Sequence, residues 1–139
     1  MRQKQDMAVI ATRGQGLVEF TLEVQRFVAA SGISTGLLTL FCRHTSASLL
    51  VQENADPDVM RDMQEFFRRL VPEGADWMVH KVEGPDDMPA HIRTALTQTS
   101  LAVPVRQGRL ALGTWQGIFL FEHRSRPHRR EVVMHLVGD

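Results

Sequence analysis

The chain has 139 residues, the length of one domain, and is shorter than the roughly 200 residues that an eight-fold β/α barrel needs. Sixteen Lys and Arg balance sixteen Asp and Glu, so net charge gives no argument for binding nucleic acid or an anionic membrane. A single cysteine excludes an internal disulfide, and no apolar run approaches the roughly 20 residues that span a bilayer. We therefore expect a cytoplasmic protein, away from the membrane, with one domain over residues 1–139.

The first part of the chain alternates short strands with a helix. Residues 7–13 and 17–22 have strand-like patterns on either side of two glycines, which predicts a β-hairpin. From residue 23 the apolar period changes to that of a helix, and Gly32 is a natural C-terminal stop. Residues 36–43 form a nearly continuous apolar run, which is typical of a strand covered on both faces.

The best local signal for a helix start follows a strand over residues 46–53. Asp56 can cap the first turn, and Pro57 suits the first helical position. We predict a helix from there to about Leu70, ended by Pro72 and Gly74. Its expected buried stripe is Val59, Met63, Phe66, Phe67 and Leu70.

The second half is predicted to be mostly β-structure around one more helix. Residues 77–82 resemble a strand, and Asp87 can cap a helix over residues 88–98. Its inward residues are expected to be Ile92, Ala95 and Leu96. Four further strands are expected at 100–105, 109–112, 115–123 and 130–137. The short connections favour antiparallel pairing, so we predict an α+β fold, a mostly antiparallel sheet or sandwich with about three helices.

Three histidines are candidates for a metal site. His44 ends an apolar strand, His80 lies in the predicted strand 77–82, and His91 falls near the start of a helix, where the dipole favours a neutral ring. Three neutral imidazoles leave an open coordination position on zinc. The spacing is not a local metal motif, and a lone histidine is more often structural. His123, His128 and His135 are interpreted as surface or anion-facing groups.

Other polar residues could complete such a site. Glu53 and Asn54 end a strand just before the helix cap, where a carboxylate beside a metal can act as a general base. Ser46 shares a strand face with His44, although no nucleophile elbow surrounds this serine, so covalent serine catalysis ranks below metal-assisted chemistry.

Two downstream segments could bind a substrate. Thr114, Trp115 and Gln116 follow Gly113 in a turn that can present backbone N–H groups, an amide and a stacking indole, or else a β-turn with a core tryptophan. Residues 122–130 contain four arginines, Arg129 among them, which could hold phosphate, or else form a solvated surface.

The chain resembles the YjbQ family of small bacterial and archaeal proteins over residues 7–137. The matching segments are HTSA at 44–47, ENADPDV at 53–59, PAHI at 89–92, VPV at 103–105, LALGTWQGI at 110–118 and EHR at 122–124. The chain departs from the family pattern at Gln52 and over residues 85–88.

The resemblance implies a homotrimer of α+β subunits with a shared polar pocket. It implies a low thiamine-phosphate synthase activity, in which a pyrimidine diphosphate joins a thiazole phosphate and pyrophosphate leaves. His44, His80 and His91 would hold a divalent metal, zinc or magnesium. By the same resemblance Glu53, Asn54, Asp56 and Glu122 would act as acid, base or positioning groups, and Thr114, Trp115 and Gln116 would line the pocket.

We therefore expect a metal-assisted enzyme acting on a phosphorylated small molecule. The alternative is a non-catalytic module that binds a small anion or a heterocycle. Nucleic-acid binding through residues 122–130 is the third hypothesis, and the neutral net charge disfavours it.

Overall fold

The computed structural model describes residues 1–139 and contains eight strands and three helices. In chain order these are β1 (Arg2–Ala11), β2 (Gly16–Glu19), α1 (Thr21–Ser31), β3 (Thr35–Cys42), β4 (Ala47–Glu53), α2 (Pro57–Leu70), α3 (Asp87–Leu96), β5 (Ser100–Arg106), β6 (Arg109–Leu110), β7 (Gln116–Glu122) and β8 (Arg129–Gly138).

Two antiparallel sheets enclose the core. One has five strands in the order β1-β8-β3-β5-β6, and the other has three in the order β2-β7-β4. Every strand pair is antiparallel. The core contains apolar side chains from both sheets and from α1. The α+β prediction with three helices is therefore confirmed. None of the helices is long and apolar enough to cross a membrane.

The predicted hairpin between the first two strands is wrong. β1 pairs with β8 in the large sheet, and β2 pairs with β7 in the small sheet. Between them Gly14 and Gly16 have φ values of 143° and 149°, a backbone conformation that side-chain-bearing residues rarely adopt. The glycines therefore redirect the chain from one sheet to the other.

The predicted start of α2 is confirmed. The Asp56 side chain accepts a hydrogen bond from the Asp58 N–H at 2.9 Å, and Pro57 occupies the first helical position. The predicted buried stripe is wrong within a single chain, because only one of its five residues is buried, Phe67. Phe66 and Leu70 are 56% and 54% exposed.

The region between α2 and α3 is irregular and does not form the predicted strand at 77–82. Trp77, Val79 and Val82 are exposed there, so their apolar character does not reflect strand packing. Asp87 is the first residue of α3 rather than its cap, and its side chain is buried.

The inward face of α3 also differs from the prediction. Ala95 and Leu96 are exposed, whereas Pro89, Ala90 and Arg93 are buried. The burial of Arg93 is unexpected, because a charged side chain is rarely buried without a paired group.

The outer face of the five-stranded sheet is uncovered and carries an apolar row among polar residues. Met7, Val133 and Phe41 lie in one row across β1, β8 and β3, because they are directly opposite in the strand register. Phe41 and Leu37 are both 48% exposed. A single chain thus covers only one face of β3, and the predicted coverage of both faces is wrong for the isolated chain.

Candidate functional site

Three polar side chains converge where the irregular loop enters α3. The Nε2 atoms of His80 and His91 lie 2.8 Å and 2.9 Å from Oδ2 of Asp87. Asp87 and His91 are four residues apart, so they share one face of the helix, and the loop brings His80 to them. One ligand atom from each residue lies within 4.8 Å of the other two, close enough for a single ion.

The shared carboxylate is held in place from its other side. Nη1 of Arg124 lies 2.8 Å from Oδ1 of Asp87, and Nε of Arg124 binds Asp86 at 2.9 Å. Burial by itself raises the pKa of Asp87. The hydrogen bond from His80 and the charges of His91 and Arg124 outweigh this effect and hold the pKa below its usual value. Asp87 is therefore an ionised carboxylate in a fixed orientation.

The orientation of His91 is compatible with a cation between this residue and Asp87. Its Nδ1 lies 2.8 Å from the carbonyl oxygen of Thr45, which can only accept a hydrogen bond, so Nδ1 carries a proton. In the neutral ring Nε2 then has a lone pair, and it faces the carboxylate oxygen of Asp87. Two acceptors at this distance require a proton or a metal ion between them. The three residues could hold a divalent metal.

His44 lies outside this group, although the sequence indicated it as the third ligand. Its Nε2 accepts a hydrogen bond from the Glu131 N–H at 2.7 Å, and Nδ1 lies 3.4 Å from Nη1 of Arg130. Burial and the adjacent Arg130 charge lower the pKa of His44. Because its Nε2 accepts this backbone hydrogen bond, His44 connects the end of β3 to β8 and has no free lone pair there for a metal. Asp87, not His44, lies beside His80 and His91.

Ser46 and Glu122 belong to a buried network rather than an accessible acid–base pair. Glu122 is fully buried and forms an ion pair with Arg130, whose Nε is 2.8 Å from Oε1. Thr12 also donates to Oε1 at 2.7 Å, and Arg130 donates to the Ser46 hydroxyl at 3.0 Å. Burial raises the pKa of Glu122, and the hydrogen bonds from Arg130 and Thr12 overcome this and lower it.

The remaining predicted site residues lie mostly at the far end of the small sheet. In the β4–β7 register Ala47 faces Glu122 and Glu53 faces Gln116, so the two ends are separated by about 20 Å of strand. Thr114, Trp115 and Gln116 are exposed there, and one buried carboxylate oxygen of Glu53 has no hydrogen-bond partner.

Within one chain the predicted pocket is therefore divided. Asn54 donates to Glu19 at 3.0 Å at the same far end. Arg129 is exposed at the start of β8, opposite Ala11. None of these residues belongs to the His80–Asp87–His91 group.

Asp87 and Arg124 are the site residues that the sequence interpretation missed. Asp87 was given only a capping role, and Arg124 was one of four similar arginines in a charged segment. The spacing of Asp87 and His91, one helical turn apart, was a usable signal for a shared ligand face. The sequence contained no comparable signal for Arg124.

His123 was expected to be a surface or anion-facing group, and the structure shows that it is not at the surface, since it is 1% exposed. Its Nε2 is 2.9 Å from the Ser48 hydroxyl, and its Nδ1 has no partner. Burial and the charges of Arg93 and Arg130 lower the pKa of His123 to about 3, against the opposing charge of Glu122. The ring is therefore neutral across the ordinary pH range.

Comparison with known proteins gives a consistent set of relatives. A family model described as "UPF0047 protein YjbQ-like" matches residues 5–139. A UPF0047 protein of Synechocystis sp. is 58% identical over 99% of this chain and 94% of its own length. The UPF0047 protein YugU of Bacillus subtilis is 34% identical over 95% of this chain and 97% of its own length.

Solved structures share the fold. A crystal structure of a yjbq/upf0047 family protein from Clostridium acetobutylicum has a TM-score of 0.87 and 34% identity, covering 95% of this chain and 99% of its own. A Sulfolobus solfataricus protein, described as YbjQ-like and of unknown function, also has a TM-score of 0.87, with 25% identity over 99% of this chain and 100% of its own.

Because His123 is buried and neutral, we predict that the protein becomes less stable as the pH falls below about 6.5, before its carboxylates begin to titrate. An unfolded histidine binds a proton below about pH 6.5, whereas the folded ring does not until about pH 3, so stability is present above pH 6.5 and is lost as pH falls. Between pH 7 and pH 5 this residue should cost roughly 2 kcal/mol of unfolding free energy.

Denaturant unfolding at both pH values, with a chelator present, measures this loss. The loss should be smaller by about that amount in His123→Gln and unchanged in the control His135→Gln. An equal loss in wild type and His123→Gln would contradict the assignment.

Proposed function

Because this chain belongs to the YjbQ-like UPF0047 family, we propose from its site chemistry that it is a metal-assisted enzyme acting on a phosphorylated small molecule. The observation that carries the proposal is the convergence of His80, Asp87 and His91 on one point. Arg124 and the Thr45 carbonyl hold two of these ligands in fixed orientations. Such supporting contacts are typical of metal-binding histidines and carboxylates.

The donor set supports zinc more than magnesium. Magnesium prefers six oxygen ligands, whereas two imidazoles and one carboxylate are a common zinc set with an open position. A zinc ion held there would supply a Lewis acid that neutralises charge on a phosphate or pyrophosphate oxygen. Asp87 would remain ionised for this role, because Nη1 of Arg124 lies 2.8 Å from its Oδ1.

The reaction we propose is thiamine-phosphate synthesis, in which a pyrimidine diphosphate is joined to a thiazole phosphate and pyrophosphate is released. This finer assignment rests on the family resemblance, and the ion pair of Asp87 with Arg124, which directly precedes the exposed residues 125–127, is compatible with an anionic leaving group. A module that binds the same compounds without reaction is the competing function, and turnover distinguishes the two.

We also propose that the chain forms a homotrimer. Its support is the uncovered apolar row of Met7, Phe41 and Val133 on the five-stranded sheet, which a neighbouring subunit would cover. In a cyclic assembly a neighbour could also bring its own Glu53–Gln116 end near the histidine group. This arrangement would reunite the residues that are about 20 Å apart along β4 within one chain.

The metal assignment predicts a specific pattern of zinc binding. Metal-free protein should take up one zinc ion per chain, measured by calorimetry and by metal analysis after dialysis. His91→Ala and Asp87→Asn should abolish this uptake, and Arg124→Met should weaken it by about 10- to 100-fold, because Asp87 loses its support.

His44→Ala is the matched control for the metal assignment, because its ring is engaged with Glu131 and Arg130. It should retain zinc. Loss of zinc in His44→Ala with retention in Asp87→Asn would overturn the ligand assignment.

The activity is tested by pyrophosphate release from the pyrimidine diphosphate and the thiazole phosphate. We expect slow release by the zinc-loaded protein and a loss of roughly 100-fold or more in His91→Ala, because charge stabilisation at the leaving group is removed. Binding of both compounds without pyrophosphate would instead support the non-catalytic module. Complementation of a thiamine auxotroph provides the corresponding measurement in cells.

The assembly is tested by sedimentation equilibrium. A trimer has three times the chain mass of 15.7 kDa, about 47 kDa. Phe41→Glu should shift the mass towards that of a single chain, since it places a charge in the covered face. Leu22→Glu, at an exposed apolar position on α1, should leave the mass unchanged. A single-chain mass for the wild type would refute the trimer.

A further inference from the structure

A second polar site lies on the other side of α3 from the histidine group. It is a cavity of about 140 Å³, and only two of its nine lining residues are hydrophobic. The lining residues come from the connection between β1 and β2, from α2 and α3, and from the end of β7 and the residue after it. They are Gln15, Gly16, Gln64, Phe67, Arg68, Arg93, Phe121, Glu122 and His123. The volume exceeds the roughly 30 Å³ that one water molecule occupies in the liquid.

Arg93 contributes to this wall a positive charge that has no ion-pair partner, although the more distant carboxylates of Glu73 and Asp86 act on it favourably. The residue is 4% exposed, yet it belongs to none of the ion pairs in the chain. Its Nη2 donates to the Val71 carbonyl at 2.7 Å, and its buried Nε has no acceptor. A guanidinium stays protonated in proteins, so a buried one without a counter-charge is costly.

The neighbouring groups leave that charge available. His123 lines the same cavity as a neutral ring, and its buried Nδ1 also lacks a partner. Glu122 is the only carboxylate among the lining residues. Both its oxygens are already bonded to Arg130, and Thr12 and the Arg124 N–H add further hydrogen bonds. Glu122 therefore offers no free negative charge to Arg93.

We propose that this cavity binds a small tetrahedral oxyanion of the phosphate type, with Arg93 as the central ligand. An oxyanion supplies both the ion-pair partner that Arg93 lacks and an acceptor for its unpartnered Nε–H. Arg68, which is 65% exposed and ion-paired with Glu65, stands at the rim, where its remaining N–H groups can donate to the anion. The site requires no metal, and it stands whether or not the histidine group binds one.

The ligand chemistry has two sources, a free inorganic anion or the phosphoryl group of a larger compound. Titration of the full-length protein with inorganic phosphate and, separately, with phenyl phosphate distinguishes them. Calorimetry is done with a chelator present, so that phosphate cannot bind through a metal ion. Binding of inorganic phosphate alone indicates the free anion, whereas equal binding of phenyl phosphate indicates a phosphoryl group; both support the site.

Arg93→Gln should weaken phosphate binding by at least about tenfold, because a charge-assisted hydrogen bond is lost. Arg68→Gln should cause a smaller loss. Arg69→Gln is the matched control: like Arg68 it is an exposed partner of Glu65 on α2, but it does not line the cavity. It should bind phosphate as the wild type does.

Folding of the variants does not confuse the result. Arg93→Gln removes the buried charge together with its hydrogen bond to the Val71 carbonyl, so its melting temperature without phosphate is measured first to establish that the variant folds. Phosphate should raise the melting temperature of the wild type and not that of Arg93→Gln. The proposal is overturned if wild-type protein binds no phosphate, if Arg93→Gln binds it equally well, or if His91→Ala abolishes binding while Arg93→Gln retains it.

Discussion

The buried ion pair between Glu122 and Arg130 joins the two sheets of this protein. Glu122 ends β7 in the small sheet, and Arg130 lies at the start of β8 in the large one. Thr12 donates to this pair and Ser46 accepts from it, so three of the six chain passages between the sheets (β1–β2, β3–β4 and β7–β8) meet at this point. A buried pair of this kind is tolerated only when hydrogen bonds satisfy the remaining polar atoms, as they do here.

The two candidate sites depend on this junction for their geometry. Directly after Glu122 the chain places His123 in the oxyanion cavity and Arg124 on Asp87. On the opposing helix, His91 and Arg93 are two residues apart, which is about 200° around the axis, so they face different sites. One strand end and one helix therefore contribute residues to the His80–Asp87–His91 group on one side and to the cavity around Arg93 on the other.

Local signals predicted those elements whose cause is local. The α2 start was correct because an aspartate cap and a proline at the first position act within one turn. Gly32 ends α1 in the left-handed conformation for the same kind of reason. Apolar patterns were less reliable. Residues 77–82 were interpreted as a strand, yet Trp77, Val79 and Val82 are exposed, and the apolar surface there is not covered by this chain.

By itself the sequence determined the α+β class and the positions of most strands along the chain. It also indicated His80 and His91, two of the three residues of the His80–Asp87–His91 group. It could not assign the third residue of this group, because only the tertiary structure shows that Asp87 lies beside the two histidines and that His44 does not. The Glu131 N–H donates a hydrogen bond to Nε2 of His44, whereas Asp87 is buried at the start of α3. The tertiary structure alone separated the Glu53–Gln116 end from the histidines and buried Arg93 without an ion-pair partner, because both depend on strand register and helix packing between residues far apart in sequence.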